Sequence, residues 1–529
     1  MKRLTRLPQP VIKHDSQIIQ IRGLDLSENY VDGSLSESMN ISLDDYPVFR
    51  SRKPRQKVTG ISSAAAITAW DDLIYISSGV MHVGNQVVDY TFQSGAKQFA
   101  MLQNKLVVWP DKVYVNMTTL DVVEMAQRHE PTYGEFGTNY LDFDPVSYGT
   151  DLTRVFNVGD TIRISNLEGE FAANNGWFTI SAVETKKLTF DLPESMSFHT
   201  GTPSPPAVVE RVIPDLAYIA VQNNRLWGVD NTEQAIWSSV QGDPCNFYTN
   251  KGISSDADAI PVSSAGDFTG IAVLGTQVLA FKTDLMYKVL GSYPAEYQSY
   301  IYHIEGVGPG CHKSLVVIND TLFYASANGI MAYSGASSMF IGAELGKKSF
   351  SNAVGGTDGK RYFLSNNGSH ETFIYDTRLG MWIKEGDIRA VDYARIGSTL
   401  YALGTDGYVY TDNGGVQSIT QEWSMTFNTF YESTTGSNNK KVMAYEKKRY
   451  HRIILRFHLG QYCKANVSVK FDGGNWEQIY TVTASGASYY MHAVPVMIRK
   501  CDHFSINISG RGVFELRQLV REFSLGGVR

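Results

Sequence analysis

A hairpin unit recurs seven times along the chain: a hydrophobic strand, two to four turn residues usually containing Asn, Asp or Gly, then a second strand opening on Leu or an equivalent. It reads AWDDLIYIS at Leu73, LQNKLVVW at Leu106, VQNNRLWGV at Leu226, VLGTQVLAF at Val278, INDTLFYAS at Leu322, TDGKRYFLS at Tyr362 and RIGSTLYAL at Leu400. A repeat this short cannot bury its apolar face alone and must stack on its neighbours. The spacings are 33, 120, 52, 44, 40 and 38 residues. All but the second lie in or near the ~40 to 50 residues of a four-stranded propeller blade. The pattern predicts an all-β chain built on a six- or seven-bladed β-propeller.

The gap of 120 requires an insertion, and residues 141–212 supply one of 72 residues, leaving an ordinary 48. Within it, FNVGDTIRISNLEGEFAANNGWFTISAVETKKLTFD alternates polar and apolar residues around Gly- and Asn-rich turns, as in a small closed β-barrel. The recurrences stop after Tyr410. Beyond TTGSNN at Thr434 to Asn439, longer alternating strands follow, with Val467, Val469 and Phe471, then Phe504, Ile506 and Ile508, each on one face. Four regions result: an extended arm over 1–57, the propeller over 58–140 and 213–415, the inserted barrel over 141–212, and a C-terminal β-sandwich over 416–529.

Composition bears on partners. Of 529 residues only 19% are charged, while 30 are Tyr, 25 Phe and 8 Trp. Interfaces are depleted in Lys and Glu and enriched in Tyr and Trp, so a chain that covers much of its surface with partners fits, as does a Tyr-rich β protein in isolation. The net charge of -6 gives no global attraction to nucleic acid. Its distribution is uneven: residues 421–529 carry +7 and residues 1–420 carry -13. The four cysteines (Cys245, Cys311, Cys463, Cys501) are scattered, so reduced thiols are expected rather than a disulfide framework or a zinc site. The basic N-terminus lacks an apolar signal-peptide core, and no apolar run approaches ~20 residues, so a soluble, non-secreted chain without a membrane span is expected.

Chemistry has no visible seat. There is no GxSxG, HExxH, P-loop or helix-opening GxGxxG, and no SxDxGxxW box of the sialidase type. Acid pairs such as Asp142 and Asp144 exist, but glycosidase carboxylates come from distant strands and cannot be paired from sequence. Asn116-Met-Thr would be a glycosylation acceptor only in a secreted protein. The chain is expected not to be an enzyme, with no catalytic, cofactor-binding or metal-binding residues and no cofactor. Two basic clusters are the candidate interaction residues. Arg50, Arg52, Lys53, Arg55 and Lys57 place five cations in eight residues, either a phosphate grip or a solvated, acid-paired arm. Lys447, Lys448, Arg449, Arg499 and Lys500 either face an acidic partner or form a solvated face.

Three stretches go beyond generic β patterning. GLDLSENYVDGSLSESMNISLDDYPVFRSRKPR at Gly23 to Arg55 has a polar, Ser- and Asn-rich lead-in to a D-Y-P-x-x-x-x-R-x-x-R line. NNRLWGVDNTEQAIWSSVQGDPCNFY at Asn223 to Tyr248 follows a Trp-Ser strand with Gly242-Asp243-Pro244. Met286 to Gly335 closes on L-F-Y-x-S-x-x-G-I-x-x-Y-x-G. Together with the ending IRKCDHFSINISGRGVFELRQLVREFSLGGVR, these resemble the propeller proteins of bacteriophage necks and tail hubs, including the packaged-DNA stabilisation proteins of short-tailed phages. The resemblance implies a virion structural protein, made in the host bacterial cytoplasm and located in the tail or neck. It implies a homo-oligomeric ring, a hexamer, on the portal and adaptor connector proteins and other tail proteins, closing or extending the DNA channel. Packaged DNA would pass without sequence-specific binding. The alternative is a tail-tip carbohydrate-binding adhesin or polysaccharide-degrading propeller. The insertion falls outside the family pattern.

Overall fold

The computed structural model describes residues 13–18, 21–143, 151–386, 388–411, 419–432, 434–435, 441–442, 447–491 and 494–525. Among them the chain is nearly all-β, its only helices being five short 3-10 segments. No described helix is long and apolar enough to cross a membrane.

Seven sheets have four strands each. Sheet I is Ala64–Ala69, Leu73–Ser77, Val80–Val83 and Gln86–Val87; sheet II is Gln98–Leu102, Lys105–Trp109, Val113–Asn116 and Val122–Glu124. Sheet III is Leu216–Gln222, Arg225–Asp230, Ala235–Ser238 and Asp258–Pro261; sheet IV is Gly270–Leu274, Gln277–Phe281, Met286–Leu290 and Gln298–Tyr302. Sheet V is Val316–Ile318, Thr321–Ala325, Ile330–Tyr333 and Ser338–Phe340; sheet VI is Ala353–Thr357, Arg361–Asn366, Glu371–Asp376 and Met381–Glu385. Sheet VII takes Ala390–Ile396, Thr399–Gly404 and Val409–Thr411 from late in the chain and Gln56–Lys57 from its beginning. Each of the seven sequence recurrences falls in the second strand of one sheet.

The local reasons are clear in two hairpins. Asn223 and Asn224 (φ 49° and 58°) turn the first hairpin of sheet III, and Asn319 and Asp320 (φ 47° and 57°) that of sheet V. Two consecutive left-handed residues make a type I′ turn, whose twist matches the strands it joins. Asp320→Val is therefore expected to cost about 1–2 kcal/mol in urea melts, since a β-branched residue tolerates that region poorly.

The second strands are apolar on consecutive residues because both of their faces are covered. Leu106 and Val108 of sheet II pack with Ile74 and Ile76 of sheet I. Their neighbours Val107 and Trp109 pack with Leu226 and Trp237 of sheet III. In sheet III the alternation repeats, with Trp227, Val229 and Ile236 packing against Val278 and Ala280 of sheet IV. Sheets VI and VII approach closely where Tyr393 covers Gly356: a Cβ there would lie 2.5 Å from the tyrosine ring. The Tyr393 hydroxyl is 2.9 Å from Ser365 Oγ.

The insertion is a seven-stranded sheet in the order Gln127–His129, Val208–Arg211, Thr161–Ser165, Gly176–Val183, Lys187–Asp191, Tyr140–Phe143, Gly134–Phe136. Its two end strands are not paired with each other among the described residues. It has its own core, including Phe136, Phe156, Ile162, Phe178, Phe190 and Phe198. Two of its strands lie before residue 141, where the sequence places the boundary, because Gln127–His129 and Gly134–Phe136 find their partners only inside the insertion. Asp144 lies outside the described residues.

The C-terminal region forms two sheets. One runs Leu35–Met39, Glu422–Phe427, Phe504–Arg511, Lys464–Phe471, Glu477–Thr483. The other runs Ile41–Ser42, Phe49–Ser51, Phe514–Leu525, Lys448–Leu459, Tyr489–Met491, with Lys13–Ile18 on Phe514–Leu525 and Val494–Cys501 on Lys448–Leu459. Val467, Val469, Phe504, Ile506 and Ile508 are buried in a common core, and Phe471 packs against it half-buried. Residues 1–57, read from sequence as an arm, thus contribute strands to both of these sheets and to sheet VII. The polar lead-in holds a short strand, Leu35–Met39, whose partner lies far along the chain, as in Leu35↔Phe427.

The chain divides into two compact units. Ser63–Ala327 with Ala332–Ser338 holds sheets I to IV and the insertion; Met1–Ser62, Asn328–Met331 and Met339–Arg529 hold sheets VI and VII and the C-terminal sheets. The first unit has 14 Lys and Arg against 29 Asp and Glu, net -15, and the second is +9.

Candidate interaction surfaces

The first basic cluster lies on and just after the short strand Phe49–Ser51, and most of it is engaged by acids. Arg50 reaches Asp45 at 2.5 Å and Glu515 at 2.9 Å. Arg55 grips Glu385 with Nε and Nη2, at 2.5 and 3.0 Å, and Arg52 Nη2 lies 3.1 Å from the same carboxylate. Burial alone would raise the Glu385 pKa. The charges of Arg52 and Arg55, the direct bond from Arg55 and the field of Arg361 instead hold it down at about 2. Lys57 sits 3.8 Å from Asp406 and 3.4 Å over the Tyr408 ring. Lys53 is exposed and has no acidic partner among the described residues. Of the two readings open in the sequence, the acid-paired arm describes four of the five cations.

The second cluster lies on paired strands of the C-terminal region, where side chains alternate between faces. Arg449 pairs with Lys500 across Lys448–Leu459 and Val494–Cys501, and both are exposed. Like charges directly opposite on a sheet repel, so this pair favours an anionic neighbour. Lys447 is also exposed. Lys448 is not part of that face: with 0% exposure it points into the protein, its Nζ 3.5 Å from the Asp502 carbonyl. The side chain of Arg499 lies outside those described, though its backbone pairs with Tyr450.

Lys448–Leu459 and its neighbour Phe514–Leu525 carry cations that the sequence reading missed. Arg452, Arg456 and Arg517 are exposed. Arg452 meets Glu522 at 2.7 Å and Arg517 meets Glu515 at 3.4 Å, whereas Arg456 has no acidic partner among the described residues. In KRYHRIILRFHL, Arg449 and Arg456 are both exposed although their separation is odd, because the register shifts between Tyr450 and Arg452, so strict alternation does not find Arg456. Beside them Tyr490, exposed, stacks on His458 with centroids 4.6 Å apart, over a groove of about 540 Å³ that Arg456 and Arg517 also line. The four cysteines are buried and free, and burial pushes the Cys463 and Cys501 thiols up to about 12, well away from thiolate chemistry.

No protein-family model and no curated protein matches the chain. Among solved structures it is similar to BamB from Moraxella catarrhalis (10% identity, 68% of this chain and 97% of that chain, TM-score 0.35). It is also similar to AztD from Citrobacter koseri (8%, 65% and 92%, TM-score 0.31) and to BBS1N in complex with ARL6DN (12%, 68% and 96%, TM-score 0.34). Likenesses this weak carry no functional weight.

Proposed function

We propose that this chain is a non-enzymatic assembly protein of the bacteriophage neck or tail. In this reading its seven four-stranded sheets are the blades of one propeller, and copies join into a ring on the head-to-tail connector. The location rests on the motif resemblance at Gly23 to Arg55, Asn223 to Tyr248 and Met286 to Gly335. The observation that carries an assembly role is the cationic strand face of Lys447, Arg449, Arg456 and Lys500, in a chain whose other compact unit is net -15. Charge complementarity of this kind steers encounter and sets register between partners. The aromatic platform of Tyr490 on His458 is flanked by Arg456 and Arg517, and the carboxylate beside it, Glu515, is paired with Arg517 at 3.4 Å and lies 3.9 Å from His458 Nδ1, whereas the sugar-cleaving alternative needs two carboxylates facing one pocket.

In sedimentation velocity at low salt, the full chain with its connector proteins is expected to form a ring-sized species. Arg449→Glu with Lys500→Glu should abolish or strongly weaken it. The difference should shrink at physiological salt, where screening acts within ~8 Å. Equal assembly of both proteins at low salt contradicts the proposal.

A further inference from the structure

The acid-paired cluster has a second side. Arg50, Arg52, Lys53 and Arg55 line a pocket of about 130 Å³ together with Arg361, which the chain brings in from sheet VI. Asp44 is the one carboxylate in that lining. Asp44 itself lies 3.4 Å from Arg361, and the other acids that pair with these cations stand outside the lining: Glu385 holds Arg52 and Arg55, Asp45 and Glu515 hold Arg50, and Asp358 holds Arg361 at 2.7 Å. Phe363 fixes two of the guanidiniums, with Arg55 5.4 Å and Arg361 5.2 Å from its ring centroid. The wall is therefore preorganised, with Arg52 and Arg55 side chains only 10% and 3% exposed.

We propose that this pocket binds one small tetrahedral oxyanion of the phosphate class. That volume leaves room for one such group. Arginine forks suit phosphate oxygens in a bidentate manner, and the lining presents four arginines and a lysine beside one carboxylate, the lysine alone being without an acidic partner among the described residues. The Arg50 Nε is buried without a hydrogen-bond acceptor, and leaving a buried donor unpaired costs free energy that an added acceptor offsets. Lys53, free of any acidic partner among the described residues, supplies the adaptable charge at the rim. The inference is independent of the assembly reading, since it concerns a single chain and needs no second copy.

The test is calorimetric titration of the full chain with inorganic phosphate at constant ionic strength, with sodium chloride as the matched control. Phosphate is expected to bind and to raise the melting temperature beyond the chloride control. Lys53→Glu should weaken that binding at least roughly tenfold, the scale of one lost charge-assisted contact, while leaving the anion-free melting temperature unchanged. Arg361→Lys, which keeps the charge and removes the fork, should weaken it less. A short DNA duplex gives the source: competition with phosphate that Lys53→Glu removes assigns the oxyanion to a nucleic-acid backbone, and no competition assigns it to a free anion. Equal phosphate binding by the original chain and Lys53→Glu, or a melting shift that chloride reproduces, overturns the proposal.

Discussion

Glu385→Ala is expected to destabilise the protein by about 3–5 kcal/mol in urea melts, because removing one member of a buried ion cluster leaves its partners without their counter-charge. Glu385 is buried at the end of Met381–Glu385, and it is the carboxylate that Arg52 and Arg55 share. The change would also loosen the connection between Gln56–Lys57 and the strand Val409–Thr411, because Arg55 immediately precedes the strand that completes sheet VII. The acid dependence has a defined sign. The Glu385 pKa is held at about 2 in the fold, below its ordinary 4.5. Its contribution is therefore fully present above about pH 4.5 and is lost as the pH falls from there toward 2, a loss of about 3 kcal/mol. Glu385→Gln should remove that part of the acid sensitivity. Equal acid dependence in the urea melts of the original chain and of Glu385→Gln would show that the cluster does not govern it.

Arg211→Ala is expected to have a comparable effect, about 3–5 kcal/mol, confined to the docking of the insertion. Arg211 is 2% exposed and donates from Nε to the Met125 carbonyl at 2.8 Å, from Nη2 to the Glu124 carbonyl at 2.9 Å, and from Nη1 to Asp160 at 2.6 Å. Asp160 also accepts from Asn246 Nδ2 at 3.0 Å, and Asn246 Oδ1 accepts from the Thr161 amide at 2.9 Å. Trp177 stacks on Tyr248 with centroids 4.0 Å apart. The segment Gly242 to Tyr248, conspicuous in the sequence as GDPCNFY, thus serves as a socket for the insertion. Without Arg211, Asp160 is a buried charge lacking its cation. Because the insertion keeps its own core, the thermal melt should split in two, with early hydrogen exchange across Thr161–Ser165 and Gly176–Val183. A single transition at the original midpoint would refute this origin of the joint's strength.

How far the sequence could be read follows from what each feature depends on. The seven hairpins were legible because their causes are local. Left-handed turn pairs such as Asn223-Asn224 demand particular residues, and strands covered on both faces, such as Lys105–Trp109, must be apolar without a break. The insertion was legible as an all-β unit for the same reason, but not its boundaries or the expected closed barrel: Gln127–His129 and Gly134–Phe136 depend on partners further along the chain, and these two end strands do not pair with each other among the described residues. The fate of residues 1–57 was not legible. Ile41–Ser42 and Phe49–Ser51 are too short to show a period, and their place is set by Phe514–Leu525 at the other end of the chain. The candidate surfaces divide similarly. Three successive cations at 447–449 cannot all face one way on a strand, so the inward turn of Lys448 was available from alternation alone. A bulge between Tyr450 and Arg452 then resets the faces, which hid Arg456 from the pattern. Nothing local could bring Arg361 to Arg50, since the two stand far apart in sequence and meet only through the fold.

Cryo-electron microscopy of the full chain with its connector proteins at low salt tests most directly whether the seven sheets are blades of one propeller, copies of which assemble through the cationic strand face. Closed rings are expected, in which every copy shows seven blades around a single axis, with Arg449 and Lys500 at a contact with an acidic surface. Separate sandwiches without a common axis, or rings whose contacts leave Arg449 and Lys500 in solvent, would contradict it.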